Sequence, residues 1–151
     1  MKQLLFLFLF LNVTLSGCKE EDFTMQNDDE IKQYLATNNL TAEKTDEGLY
    51  YIITQEGAGV NPNIANDVTV HYKGYLLNGN IFDSSYDRGD RSTFSLNSVI
   101  KGWQIGIPLL KEGGAGRLFI PSHLAYGANP PNGRIPANAV LAFDIELFEV
   151  R

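Results

Sequence analysis

Two stretches of two-residue alternation constrain this chain more than anything else in it. Val68, Val70 and Tyr72 alternate with Thr69, His71 and Lys73, and near the end Leu141, Phe143, Ile145 and Leu147 alternate with Ala142, Asp144 and Glu146. Successive side chains of a strand point to opposite faces, so each stretch reads as a strand with one apolar and one mostly polar face. Leu49, Tyr51 and Ile53 alternate in the same way with Tyr50, Ile52 and Thr54, and Thr93–Leu96 and Arg117–Ile120 supply two shorter strand patterns. Asn78-Gly79 is a hairpin turn signal. The pieces predict an antiparallel sheet.

A single helix interrupts that sheet. Asn97 or Ser98 is its expected cap, Val99, Ile100, Trp103 and Ile107 its apolar face, and Pro108 its stop. Gly102 and Gly106 make it a weak helix alone but allow its backbone to lie close to the sheet. A second helix is predicted to open at Asp28-Asp29-Glu30, with acids at the positive end of its dipole and Ile31, Tyr34 and Leu35 on one face, and to end near Asn38-Asn39. It reads as a packed N-terminal extension rather than a dimerisation element, and a monomer is expected. The fold class is α+β, a sheet wrapped over one short helix.

With 151 residues, 44% of them hydrophobic, the chain suffices for one compact domain and not for two large ones. A formal charge of -6 without a Lys/Arg-rich block excludes a nucleic-acid footprint. Met1-Lys2, the Leu/Phe run Leu4 to Leu11 and Leu15-Ser16-Gly17-Cys18 form an export address, the run being too short to span a membrane. Cys18 is the only cysteine, so no disulfide within the chain and no thiolate metal site can form. Leu-Ser-Gly-Cys resembles the lipobox of bacterial lipoproteins, in which the cysteine sulfur takes a diacylglycerol and the chain is cut before it. The implied division is a signal peptide over 1–17, a lipidated Cys18 with a flexible polar tether over 18–27, the helical extension over 28–44 and the main domain over 45–151. The expected location is the cell envelope of a bacterium, anchored to the outer membrane through lipid, with the periplasmic face and the cell surface both open.

Between Asp67 and Trp103 several aromatic residues surround one carboxylate, Asp83, with no nucleophile–base pair beside it. Such a set suits a reaction that breaks no covalent bond. His71 and His123 lack metal-ligand spacing, and Asp83, Asp87 and Asp90 do not fit a calcium loop. Gly113-Gly114-Ala115-Gly116 lacks the Lys-Ser/Thr of a phosphate cradle, and Ser84 and Ser85 lack a nucleophile elbow. Neither a metal nor a cofactor is expected.

The blocks VHYKGYL, IFDSSYDRG, VIKGWQIGI, AYG and LAFDIEL, in order over about Leu49 to Val150, resemble FKBP-type peptidyl-prolyl cis-trans isomerases. The resemblance implies an antiparallel sheet of five or six strands wrapped around one short helix, with a proline pocket between them. It implies rotation about Xaa-Pro bonds of unfolded or exported polypeptides, and affinity for macrolide inhibitors. Carried over by motif, Trp103 forms the pocket floor and Tyr72, Phe82 and Phe143 its walls. Phe94 stands as the inward aromatic residue, because Ser92 occupies a place where phenylalanine is common. Val99 and Ile100 open the helix at the pocket edge, the Ile100 N–H facing one substrate carbonyl and the Tyr126 hydroxyl another. Asp83 matches the pocket carboxylate, either opposing charge separation on the rotating amide or anchoring Tyr72, and Arg88 is expected to pair with Tyr72 or Asp83. Leu124, where relatives often carry a second aromatic residue, and the proline-containing loop Asn129–Pro136 depart from the pattern. The rival reading is a non-catalytic module, or a chaperone, that holds proline-containing segments in the same pocket.

Overall fold

The computed structural model describes residues 23–151; the signal segment, Cys18 and the first part of the expected tether lie outside the described residues. The chain runs through α1 (Phe23–Thr37), β1 (Glu43–Lys44), β2 (Tyr50–Gln55), β3 (Asp67–Leu76), β4 (Ile81–Ser84), α2 (Ser85–Arg88), β5 (Ser92–Ser95), α3 (Lys101–Gly106), β6 (Ala115–Ile120) and β7 (Leu141–Val150). All strand pairings are antiparallel, in the order β1-β2-β6-β7-β3-β4, with β5 also paired to β3. Since β7 occupies one edge of β3, both β4 and β5 lie along the other. Among the described residues, seven strand segments thus fill six positions.

Both long strands sit side by side at the centre, with Tyr72 opposite Ile145 and Gly74 opposite Phe143. Their period-2 apolar residues build the main core, in which Val68, Val70, Tyr72, Leu118, Ile120, Phe143, Ile145 and Leu147 pack with Trp103 and Ile107 of the α3 segment. The opposite face is not simply polar. Tyr50, Tyr75, Phe119 and Ala142 form a second apolar layer there, covered by Ile31 and Leu35 of α1. The sheet therefore lies between two helices, and the N-terminal extension covers its back.

Two local expectations are corrected. Helix α1 is already formed at Phe23, the first described residue, and not only from Asp28, so residues 23–27 of the expected tether are helical. Tertiary contacts hold this segment: Asn27 is fully buried and bonded to two backbone groups of a distant loop, and Asp28 binds Lys32, Lys44 and Tyr50. Helix α3 is capped at Ile100, while Asn97 and Ser98 lie in a preceding 3-10 turn, Leu96–Ser98. Gln104 reaches back from α3 to the carbonyls of Asn97, at 3.2 Å, and Val99, at 2.8 Å, and so ties that turn to the helix. Pro108 does follow the end of α3 at Gly106, as expected. It sits in the 3-10 turn Ile107–Leu109, near whose start a missing N–H costs nothing.

Candidate active site

Between α3 and the sheet lies a cleft of about 540 Å³, within the usual size of small-ligand pockets. Tyr72, Phe82, Asp83, Phe94, Val99, Ile100, Trp103, Tyr126 and Phe143, which the sequence nominated, all line it. Its base is an aromatic box. The Trp103 ring, only 4% exposed, meets Tyr72, Phe94 and Phe143 at centroid distances of 5.1, 5.5 and 5.3 Å, each pair nearly perpendicular. Phe82 meets Phe143 edge-on at 5.5 Å. Such packing suits the ring quadrupoles and holds several side chains in one arrangement. The indole Nε1–H is buried with no acceptor among the described residues.

Glycine makes the box possible. A Cβ on Gly74 would stand 2.7 Å from Phe82 and 2.8 Å from Phe143, so both rings close over bare backbone. On the other side, a Cβ on Gly102 would meet Ile120 at 2.4 Å and one on Gly106 would meet Leu118 at 2.5 Å. These two contacts let α3 lie directly on β6 and set the depth of Trp103 below the rim.

One wall of the cleft is polar. The Tyr72 hydroxyl donates to Asp83 Oδ2 at 2.5 Å, and Arg88 forms an ion pair with Asp83 Oδ1. Arg88 Nη2 also donates to the Tyr72 hydroxyl at 3.0 Å and to Ser92 Oγ at 3.2 Å. Both pairings expected for Arg88 thus occur, in one triangle, but of its three members only Tyr72 and Asp83 line the cleft, and Arg88 does not. Local sequence builds the triangle: Ser84 caps the single turn α2, its side chain accepting from the Asp87 N–H, and Gly89 ends the turn at φ 79°. That turn folds Arg88 back over Asp83. It also interrupts the edge between β5 and β4, leaving Tyr72 without a strand neighbour there. The Ser85 hydroxyl substitutes for one, accepting from Tyr72 N–H at 2.8 Å and lying 3.2 Å from Tyr72 O.

Electrostatics keep Asp83 ionised. Burial pushes its carboxyl up, but the hydrogen bonds from Tyr72 and Arg88 and the guanidinium charge outweigh that, and it lies below its ordinary 3.8. Tyr72 is pushed up to about 12, by burial first and then by its bond to Asp83. At neutral pH the triangle is therefore a carboxylate, a neutral phenol and a cation.

Two donors stand apart from the triangle. Neither the Tyr126 hydroxyl nor the Ile100 N–H has a bonded partner among the described residues, so both can meet a carbonyl. Tyr126 is 36% exposed, and its hydroxyl is pushed up by burial and then by the charge of Asp83. Leu124 is buried in the main core and does not line the cleft.

Sequence reasoning missed four lining residues, Ser98, Asn132, Arg134 and Ile135. Ile135 is buried, and Arg134 Nη1 approaches Phe82 O at 3.4 Å. One signal was available: Ile135 is the sole large apolar side chain in a stretch of Asn, Pro, Gly and Arg, which suits a loop that turns inward. Among the described residues no group of three or more His, Cys, Asp or Glu side chains is placed to hold a metal ion.

Comparison with known proteins follows the same lines. A sequence model of the family described as FKBP-type peptidyl-prolyl cis-trans isomerase matches residues 59–148. Among curated proteins, the FKBP-type peptidyl-prolyl cis-trans isomerase FkpA of Aeromonas hydrophila is 42% identical over 138 residues, covering 90% of this chain and 51% of that protein. The peptidyl-prolyl cis-trans isomerase Mip of Coxiella burnetii is 41% identical over 127 residues, covering 83% of this chain and 55% of that one. Of solved structures, FkpA from Escherichia coli superposes with a TM-score of 0.75 at 37% identity, covering 85% of this chain and 61% of the other. A peptidyl-prolyl cis-trans isomerase from Pseudomonas syringae gives 0.72 at 31%, covering 84% and 95%. This chain spans about half the length of the curated relatives it matches.

Proposed function

Starting from the fact that this chain belongs to the FKBP-type peptidyl-prolyl cis-trans isomerase family, we propose that it accelerates rotation about Xaa-Pro bonds in unfolded or exported polypeptides. The observation that carries this reading is the aromatic box on Trp103, with Tyr72 and the Arg88-paired Asp83 in its wall and two uncommitted donors, Ile100 N–H and the Tyr126 hydroxyl, at its edge.

Amide resonance sets a barrier of ~18–20 kcal/mol to C–N rotation and holds the uncatalysed step to tens of seconds or more. The twisted amide has lost that resonance and is less dipolar than the planar one. An apolar cleft that excludes water therefore favours it, and no covalent intermediate is required. The proline ring would rest on Trp103 between Phe82, Phe94 and Phe143. Carbonyls on either side would accept from Ile100 N–H and Tyr126, which hold the peptide in a turn. Each ~1.4 kcal/mol gained only in the twisted state is a factor of ten in rate. Asp83 anchors Tyr72 and, being ionised, opposes charge separation across the rotating bond.

The test is isomerase activity of the chain from Lys19 onward on short Xaa-Pro peptides, beside folded Asp83→Ala and Trp103→Ala variants. Acceleration by the parent and its loss in both variants is the expected result. A folded parent that binds such peptides without accelerating them is instead a binding module. Macrolide inhibitors would occupy the same cleft and compete with the peptides.

Anchoring at the bacterial outer membrane through a lipid on Cys18 is part of the same reading, supported by Leu15-Ser16-Gly17-Cys18 after the apolar run. Palmitate labelling that persists in Cys18→Ala would sink it. A monomer is favoured because Ile31 and Leu35 of α1 are spent against the chain's own sheet. Light scattering reads the mass.

A further inference from the structure

Asn27 lies outside the residues matched to the family, on a helix at the back of the sheet, yet its side chain is fully buried and both its polar atoms are bonded. Its Oδ1 accepts from Ser122 N–H at 2.8 Å and its Nδ2 donates to Asn138 O at 3.1 Å. Those two residues are the neck of the loop that carries Tyr126. Gly127 N–H donates to Ser122 O at 2.9 Å, and Asn138 N–H to Gly127 O at 2.8 Å. Four hydrogen bonds thus close a ring from Asn27 through Ser122, Gly127 and Asn138 back to Asn27. Asn138 is held at φ 57°, a left-handed conformation uncommon outside glycine, with both its backbone groups bonded within the ring.

From this ring we propose that Asn27 is a positioning residue for the isomerase pocket, setting through the loop neck where Tyr126, Arg134 and Ile135 stand over the cleft. An apolar side chain of the same size would fill the space but leave the buried Ser122 N–H and the Asn138 carbonyl unanswered, and buried backbone groups are rarely left so. The amide therefore does what packing alone does not. On this view α1 is part of the support of the site and not only a cover for the sheet. The proposal rests on the isomerase reading of the cleft, so its test needs a readout that does not depend on turnover.

That test compares Asn27→Ala and Asn27→Leu with Leu35→Ala in the full chain. Leu35 is buried on the same helix, eight residues on, in the apolar layer behind the sheet, and makes none of the four hydrogen bonds of the ring. Hydrogen exchange is followed across residues 122–138, together with KM and kcat on Xaa-Pro peptides and peptide affinity from Trp103 fluorescence. In the Asn27 variants, exchange in the loop neck should rise about tenfold above any global change. KM should rise about tenfold while kcat stays within about twofold. Leu35→Ala should lower stability without a selective change in loop exchange or in KM. Similar behaviour of the Asn27 and Leu35 variants, or parent-like loop exchange in both Asn27 variants, overturns the proposal. Should Asn27→Ala not fold, Asn27→Leu fills the same space and decides alone. Should the parent prove inactive, the isomerase reading falls, while loop exchange and peptide affinity still decide whether Asn27 positions the loop.

Discussion

Gly102→Ala is a change that helix propensity and packing judge in opposite directions. By propensity, alanine in place of glycine inside a helix is worth about 0.8–1.0 kcal/mol, and less at this position in the first turn of α3. Against that, the added Cβ would lie 2.4 Å from Ile120 Cγ2 and 2.7 Å from Cδ1, where carbons in good contact stand about 3.5–4.0 Å apart. Ile120 is fully buried and cannot swing out, so α3 must lift or β6 must move. Overpacking of this kind costs typically about 1–3 kcal/mol. The clash wins, and the variant should be destabilised by roughly 1–2 kcal/mol, a Tm drop of about 2–8 °C for a chain of this size. Urea unfolding followed through Trp103, the only tryptophan, measures it. A double-mutant cycle isolates the cause. Ile120→Ala alone should cost about 2–5 kcal/mol through the cavity it leaves. Combined with Gly102→Ala it should cost at least about 1 kcal/mol less than the sum, because the new methyl enters that cavity. A Gly102→Ala protein as stable as the parent, or additivity within about 0.5 kcal/mol, refutes the reasoning that bare backbone sets the height of α3.

Three further predictions concern the cleft. Asp83 titrates below its ordinary value in the folded chain, so its ion pair stabilises fully above the unfolded carboxylate pKa of about 3.9 and is lost as pH falls through the lower folded one. Activity and stability should thus be level from about pH 5 to 8, and Asp83→Asn should flatten the acid limb below about 3.8; parallel acid curves for parent and variant contradict this. Tyr126→Phe removes a hydroxyl at the cleft edge with no bonded partner among the described residues, so stability should stay within about 0.5 kcal/mol while kcat/KM on Xaa-Pro peptides falls about tenfold; unchanged kcat/KM removes Tyr126 from substrate binding. Ser85→Ala strips the hydroxyl that stands in for a strand at Tyr72 and leaves a buried N–H unanswered, a loss of about 1–3 kcal/mol in urea unfolding; a neutral result shows that water replaces it.

Which parts of this molecule were legible in its sequence follows from how far apart the contributing residues lie. The alternation at Val68–Tyr72 and Leu141–Leu147 announced the two central strands, since a period of two depends only on neighbours. Tyr72 and Phe143 fell on the core face for the same reason. The Asp83–Arg88 pair was expected only from the family motif, and the structure supplies its cause, a single turn between them that Ser84 caps and Gly89 ends. Gly102 and Gly106 announced a close approach to the sheet but not to which residues; Ile120 and Leu118 were assigned to them only by the fold. Likewise, the apolar Tyr50, Tyr75 and Phe119 became a second core layer only once α1 was laid across them.

The polar segment before Asp28 was the hardest part to read, and its misreading has a physical cause. Lys19–Asn27 offers almost no apolar surface, and the energy of burying such surface is the main term that sequence pattern reveals. A buried amide is invisible to that term, because its burial becomes acceptable only when partners answer both its oxygen and its nitrogen. For Asn27 those partners are Ser122 and Asn138, separated from it by 95 and 111 residues. Nothing near Asn27 in the chain encodes either contact. The same separation explains why Arg134 and Ile135 were missed: their loop is brought over the cleft by its neck, and the neck is closed from the far end of the sequence. Two failures of the sequence reading, the helical residues before Asp28 and the loop over the pocket, therefore have one source. Each is an end of the same ring of hydrogen bonds, so a substitution that opens the ring at Asn27 should be felt at Tyr126.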